Sequence, residues 1–264
     1  MLKDITLGQF FPGNTIVHRL DPRTKILAVI LYIVALFSAD SVLTYVLAAA
    51  VLALCILVSK VPFKSLTKGL KPILIIVIFT AVMNLFFTKG TAICDVWLLR
   101  HITWEGLAAA AKMMVRIVML IMGTFLLTYT TSPISLTDGL ESLLGFLKKI
   151  KVPVHELSMM MSIALRFIPT LIEETDKIMS AQKARGADFE SGNIFQRAKA
   201  LVPLFISAFR RADELATAME CRCYHGGEGR TALHVLHYKT ADWLTLAGFV
   251  ALAAGVIVLG KFGL

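Results

Sequence analysis

Charge is scarce in this sequence. Of its 264 residues 17% are Asp, Glu, Lys or Arg and 57% are apolar, where an ordinary soluble domain carries about 25% charged residues. A mean hydropathy of +0.74 excludes intrinsic disorder, which needs the opposite balance, and argues against a soluble enzyme. Catalytic constellations are missing as well. No Ser/His/Asp or paired-carboxylate motif stands out, and Glu173, Glu174 and Asp176 read as a solvated face or as partners for basic residues. No G-x-x-x-x-G-K-[ST] loop occurs; Gly226-Gly227-Glu228-Gly229-Arg230-Thr231 lacks the lysine and the spacing and reads as a turn. The net charge of +9 comes without a Lys/Arg-rich block or an aromatic ladder, so nucleic acid is not the expected partner. Cys221, Cys223, His225, His234 and His237 are the best metal candidates by composition. Cys-x-Cys is not a usual ligand spacing, however, and a helical Cys221 would turn the two side chains apart. Cys55 and Cys94 are divided by a predicted span and do not add to that set. No catalytic residue, metal or cofactor is expected.

What the sequence does have is long apolar runs. The first extends from Ile26 to Val58, broken only around Ser38, Asp40 and Ser41. At 1.5 Å per residue it is about 50 Å long, too much for one crossing of a hydrocarbon core about 30 Å thick. Two short helices, 26–39 and 41–58, with a hairpin at Asp40-Ser41 fit better. Further spans are predicted at 70–88, with Pro72 in the first turn, at 106–130, and from Trp243 to Leu259 within a C-terminal segment 241–264. The N-terminus has no secretory signal pattern, so no cleavage is expected. Lys3, Arg19, Arg23 and Lys25 precede the first span, and Lys60, Lys64, Lys68 and Lys71 lie between the second and third. Only Lys89 and Arg100 lie between the third and fourth. This asymmetry predicts an inside N-terminus, a cytoplasmic region after the fourth span, and an outside C-terminus. Lys112 and Arg116, four apart within the fourth run, share a helix face. They read either as a buried cationic pair on a transport path or, preferably, as side chains that snorkel or face a neighbouring helix.

Residues 131–240 differ from the rest, holding 14 Lys/Arg and 12 Asp/Glu. The fold class is thus an all-α polytopic membrane protein: an N-terminal membrane region 1–130, a water-facing region 131–240 of three helices, and the fifth span. The first of the three follows Thr131-Ser132-Pro133, a cap and an N1 proline. Its Leu136, Leu140, Leu143, Leu144 and Leu147 form an apolar stripe, closed by Lys148, Lys149 and Lys151. The second is predicted from Pro153 to Gly186 with a bend at Pro169, and the third from Asn193 to about Tyr224 with Pro203 inside. Each has an apolar first half and a charged second half. Met159, Met160, Met161, Ala164, Leu165 and Ile168 in the second make an adaptable surface that either receives a partner or fills a helical core.

Both long helices end on an arginine with small neighbours, Ala184-Arg185-Gly186 and Cys221-Arg222-Cys223. Arginine there is favoured by the helix dipole alone, while its five fixed donors also suit the carboxylates and carbonyls of a docked protein. Six stretches, taken together, carry a resemblance: His18-Arg19-Leu20-Asp21-Pro22-Arg23-Thr24-Lys25, Thr131-Ser132-Pro133, Arg166-Phe167-Ile168-Pro169-Thr170, Ala184-Arg185-Gly186-Ala187-Asp188, Arg210-Arg211-Ala212-Asp213-Glu214 and Gly229-Arg230-Thr231. Over nearly its whole length the chain resembles the transmembrane T component of energy-coupling factor transporters, ATP-binding-cassette importers of vitamins and trace metals. The second arginine motif departs from the family pattern, with cysteines where the family has Ala and Gly.

The resemblance implies a non-catalytic coupling subunit. Arg185 and Arg222 would each dock one of two ATP-binding-cassette ATPase subunits. The apolar platform would carry a substrate-binding S component, and ATPase closure and opening would reorient that component in the bilayer. The chain most resembles the shared type, in which one T component serves several S components; a dedicated cobalt/nickel or biotin importer is the alternative within the family. A self-sufficient secondary transporter is the alternative outside it, and five spans without duplicated halves argue against that reading.

Overall fold

In the computed structural model the described residues are 10–87, 103–186, 202–226 and 235–261. All regular elements among them are helical: α1 (Ile16–Arg19), α2 (Pro22–Phe37), α3 (Val42–Ser59), α4 (Phe63–Phe87), α5 (Trp104–Thr130), α6 (Pro133–Leu143), a 3₁₀ segment (Leu144–Ile150), α7 (Val154–Ala184), α8 (Val202–Cys221) and α9 (Thr240–Lys261). Among the described residues α3, α5 and α9 are each long and apolar enough to cross a bilayer, and Gly69–Leu85 of α4 is a shorter apolar stretch. The chain is an all-α polytopic membrane protein. It divides into two compact units, a larger one of Gly8–Gly139 with Leu236–Leu264 and a smaller one that includes Leu140–Val235.

The larger unit is built round α2. Asp21 caps this helix by accepting a hydrogen bond from the Arg23 N–H, and Pro22 occupies the first turn. At 16 residues α2 is only about 24 Å long, so it is short for a span. Its Tyr32, Ala35 and Leu36 are enclosed by Tyr45, Ala48 and Leu52 of α3, Met119 of α5, and Leu252, Ala253 and Val256 of α9. Small residues let these helices approach: a Cβ on Gly123 of α5 would lie 3.0 Å from the Tyr32 ring. The chain turns between α2 and α3, where Ser41 caps α3 by accepting from the Thr44 N–H at 3.4 Å.

Pro72 lies in the interior of α4 rather than in its first turn. The helix begins nine residues earlier, at Phe63, because its polar opening has partners of its own. Leu66 is fully buried with Val61, Leu126 and Tyr129, and the Tyr129 hydroxyl donates to the Ser65 carbonyl at 3.2 Å. Apolar periodicity marks where a helix meets lipid, not where its backbone starts.

Lys112 and Arg116 face a neighbouring hairpin. Lys112 Nζ donates to the Asp40 carbonyl and Arg116 Nη2 to the Ala39 carbonyl, both at 2.8 Å. The guanidinium also lies 5.8 Å from the ring centres of Phe37 and Tyr45. Together the two cations satisfy the carbonyls that follow the C-terminus of α2.

In the smaller unit, α7 pairs with α8. Arg211 Nη2 donates to Glu174 Oε2 at 3.0 Å and its guanidinium lies 5.7 Å from the centre of the Phe167 ring. The predicted start of the third helix at Asn193 lies outside the described residues; within them the helix already runs at Val202, with Pro203 next to it.

Candidate functional site

The two arginine ends have the same local construction. On α7 the cap residue is Arg185, and Gly186 follows with φ of 86° while its N–H donates to the Lys183 carbonyl at 3.0 Å. On α8 the cap is Arg222, and Cys223 follows with φ of 54°. Its N–H donates to the Glu220 carbonyl at 2.9 Å, and the Tyr224 N–H reaches back to the Met219 carbonyl at 3.1 Å. That pair of bonds is the Schellman closure, which puts a left-handed residue directly after the cap. Cys223 therefore adopts the conformation that glycine adopts at the first end. Ala184, Arg185, Gly186, Cys221, Arg222 and Cys223 are all exposed, and among the described residues no ion pair involves either arginine.

The methionine surface lies on the first half of α7. Met160 and Met161 are 54% and 49% exposed. Ala164 is exposed, and Met159, Leu165 and Ile168 are half-buried. Met160 and Met161 are thus not enclosed by this chain. The apolar first half expected of the third helix lies on α8, where Val202, Phe205, Ile206 and Phe209 are exposed, Phe209 by 71%. Their spacing of three, one and three puts them on one helix face. The start of α7 is fixed to α6 by His155 Nδ1, 2.8 Å from Glu141 Oε1. Burial raises the Glu141 pKa, but hydrogen bonds from His155 and Ser158 and the charges of His155 and Lys148 outweigh it, leaving the carboxyl below its ordinary range.

Asp21 and Lys25 of the His18-to-Lys25 stretch are joined by Asp242, 1% exposed, a residue outside all six stretches. Asp242 Oδ1 accepts from the Asp21 N–H at 2.8 Å and Oδ2 from the Lys239 N–H at 2.7 Å. The second bond is half of a capping box, an acid three residues into α9 reaching back to the cap. Lys25 Nζ donates to the carbonyls of His18 and Thr130 at 3.1 and 2.9 Å. Arg23 reaches the Leu236 carbonyl and lies 5.3 Å from the centre of the Tyr238 ring. The motif thus ties α1, α2, α5 and α9 together at one end of the larger unit. His18 completes it: Nε2 donates to the Phe11 carbonyl at 3.1 Å and Nδ1 is 2.7 Å from Thr15 Oγ1. Burial, seconded by the charge of Lys25 and opposed by the Phe11 hydrogen bond, lowers its pKa.

Of the metal candidates, Cys221, Cys223, His225 and His237 are described, whereas His234 lies outside the described residues, as do Cys94 and Gly229-Arg230-Thr231. Among the described residues no three His, Cys, Asp or Glu side chains are grouped as a metal site.

The sequence profile of the cobalt transport protein family, CbiQ, matches residues 13–233. The energy-coupling factor transporter transmembrane protein EcfT of Ruminiclostridium cellulolyticum is 52% identical over 263 residues, 98% of either chain. That of Acidaminococcus fermentans is 55% identical over 262 residues, 98% of this chain and 97% of its own. That of Bacillus subtilis is 48% identical over 259 residues, 96% and 97% of the two. The chain belongs to this family, the transmembrane EcfT components of energy-coupling factor transporters.

Proposed function

We propose that this chain couples two ATP-binding-cassette ATPases to a substrate-binding S component in an importer of vitamins or trace metals, and that it hydrolyses nothing itself. Arg185 and Arg222 are the two ATPase contacts. Met159, Met160, Met161, Ala164, Leu165 and Ile168 form the surface on which the S component rides. The smaller unit and the N-terminus face the cytoplasm. The observation that carries this reading is the matched pair of helix ends. Two exposed guanidiniums stand at the same cap position, each followed by a left-handed residue, and the sequence departure at Cys223 leaves that geometry intact. A rigid fork of donors on a pinned helix end suits carboxylate or carbonyl groups in a groove. Two such ends suit two equivalent partners.

The test is affinity purification of the assembled complex. Reversing the charge of one anchoring arginine costs about 2–4 kcal/mol at a well-packed contact. Arg185→Glu or Arg222→Glu should therefore loosen one ATPase subunit, and the double variant should lose both while remaining in the membrane. Retention of both ATPases by the double variant at wild-type level would refute the docking assignment. Cysteines introduced at Met160 and Leu165 should crosslink to a small integral-membrane protein when the complex is assembled.

A further inference from the structure

Five helices of the larger unit surround a cavity of about 430 Å³, in the size range of small-molecule sites. Val17 of α1, Val29 of α2, Leu54 of α3, Leu126 of α5 and Phe249 of α9 line it, and Lys25 stands in its wall. The hydroxyls that reach it are already engaged: Thr130 Oγ1 donates to the Leu126 carbonyl and Thr245 Oγ1 to the Ala241 carbonyl, both at 2.7 Å. Lys25 is therefore the single cationic side chain in a lining that is otherwise apolar apart from the Cys55 thiol and the two engaged hydroxyls. It is 7% exposed, and two of its three ammonium donors are taken by the carbonyls of His18 and Thr130. The carboxylates of Asp21 and Asp242 are near enough for their charge to act on Lys25, but neither is bonded to it: Asp21 caps α2 and Asp242 holds the Asp21 and Lys239 N–H groups. The lining includes Leu54 and Leu244, both exposed on helices long and apolar enough to cross the bilayer, so an opening beside them would meet hydrocarbon.

We propose that this cavity is a site for an acidic phospholipid, with an acyl chain among α2, α3, α5 and α9 and the anionic headgroup on the third donor of Lys25. An apolar slot open to the bilayer selects a hydrocarbon chain. A buried ammonium with a donor to spare and no carboxylate bonded to it selects a negative head over a zwitterionic one. The proposed orientation of the chain assigns this end of the larger unit to the cytoplasmic leaflet; the lipid preference itself stands on the cavity alone.

Gly248 offers a clean way to fill the site, because it lines the cavity and a Cβ there would meet nothing within 4 Å. The experiment is native mass spectrometry of the full chain with its partner subunits, delipidated and then given phosphatidylglycerol or phosphatidylcholine of identical chains. The wild type should retain phosphatidylglycerol about tenfold better, because both heads offer Lys25 a phosphate but phosphatidylcholine adds a fixed cation beside the buried ammonium. Lys25→Met should bring the two lipids level, and Gly248→Phe should lower retention of both while Lys25 remains in place. Equal retention of the two lipids by the wild type, or undiminished phosphatidylglycerol on Gly248→Phe, would overturn the site. ATPase subunits that stay bound to Gly248→Phe show the coupling role independently of the lipid; their loss from the arginine variants leaves the lipid measurement untouched.

Discussion

At Cys223 the backbone stands at φ of 54°, a region in which an L side chain crowds the following carbonyl at a cost of about 1–2 kcal/mol. The Schellman bonds of Glu220 and Met219 hold it there, so the position calls for glycine and the sequence supplies cysteine. Cys223→Gly should relieve the crowding and, after glycine's larger loss of chain entropy, stabilise the smaller unit by about 0.5–1 kcal/mol. Cys223→Val, branched at Cβ, should destabilise it by about 1 kcal/mol. Thermal unfolding in detergent reads both changes, and ATPase retention should follow the cap geometry rather than the thiol. Equal melting of the glycine and valine variants would show that the thiol, not the backbone, matters at this end. The two arginines and the glycine at Gly186 were legible in the sequence because the dipole and the left-handed cap have residue signatures. The left-handed state of Cys223 was not legible, since only the hydrogen bonds of Glu220 and Met219 impose it. Asp242 escaped for a related reason: its capping role is local, but the Asp21 N–H that shares its carboxylate is more than two hundred residues away in sequence.

Between elements, close approach is set by glycines whose neighbours cannot move. In α6 a Cβ on Gly139 would come within 2.9 Å of Pro22 Cβ and 3.4 Å of the Arg23 backbone nitrogen. Neither can retreat, because Pro22 and Arg23 belong to the capped first turn of α2. Gly139→Leu should push α6 away from that turn and destabilise the larger unit by about 1–3 kcal/mol, the usual range for overpacking. Gly145, whose Cβ would meet nothing within 4 Å, is the control: Gly145→Ala should leave the unfolding midpoint nearly unchanged. If Gly139→Leu melted with the wild type, the packing of α6 on α2 would not be what holds this end together. The helices themselves were readable from apolar runs and caps, among them Ser132, whose hydroxyl accepts from the Ser135 N–H at 3.2 Å. Their ends were less so. The polar opening of α4 is helical because Leu66 and Ser65 find partners on α5, a tertiary reason that no window of sequence contains.

Across the whole molecule, the larger unit has two chemically different ends. One gathers Asp21, Lys25, Thr130 and Asp242. The other gathers the α2–α3 hairpin with Lys112 and Arg116, and the last turn of α9, where a Cβ on Gly260 would lie 3.5 Å from the Ser38 carbonyl. Because α2 runs from the first end to the second and α5 from the second to the first, the proposed membrane arrangement sets the two ends on opposite faces of the bilayer. The concentration of Lys and Arg in the segments before α2 and between α3 and α4 then assigns the Asp21 end to the cytoplasm in the proposed orientation. A membrane-impermeant maleimide distinguishes this arrangement from its inverse. In cells carrying a Cys94→Ala background, the exposed Cys221 and Cys223 should react only after the membrane is permeabilised. Gly260→Cys, at a position with room for the side chain, should react in intact cells. Labelling of Cys221 or Cys223 from outside would invert the topology, and with it the placing of both arginine ends beside cytoplasmic ATPases.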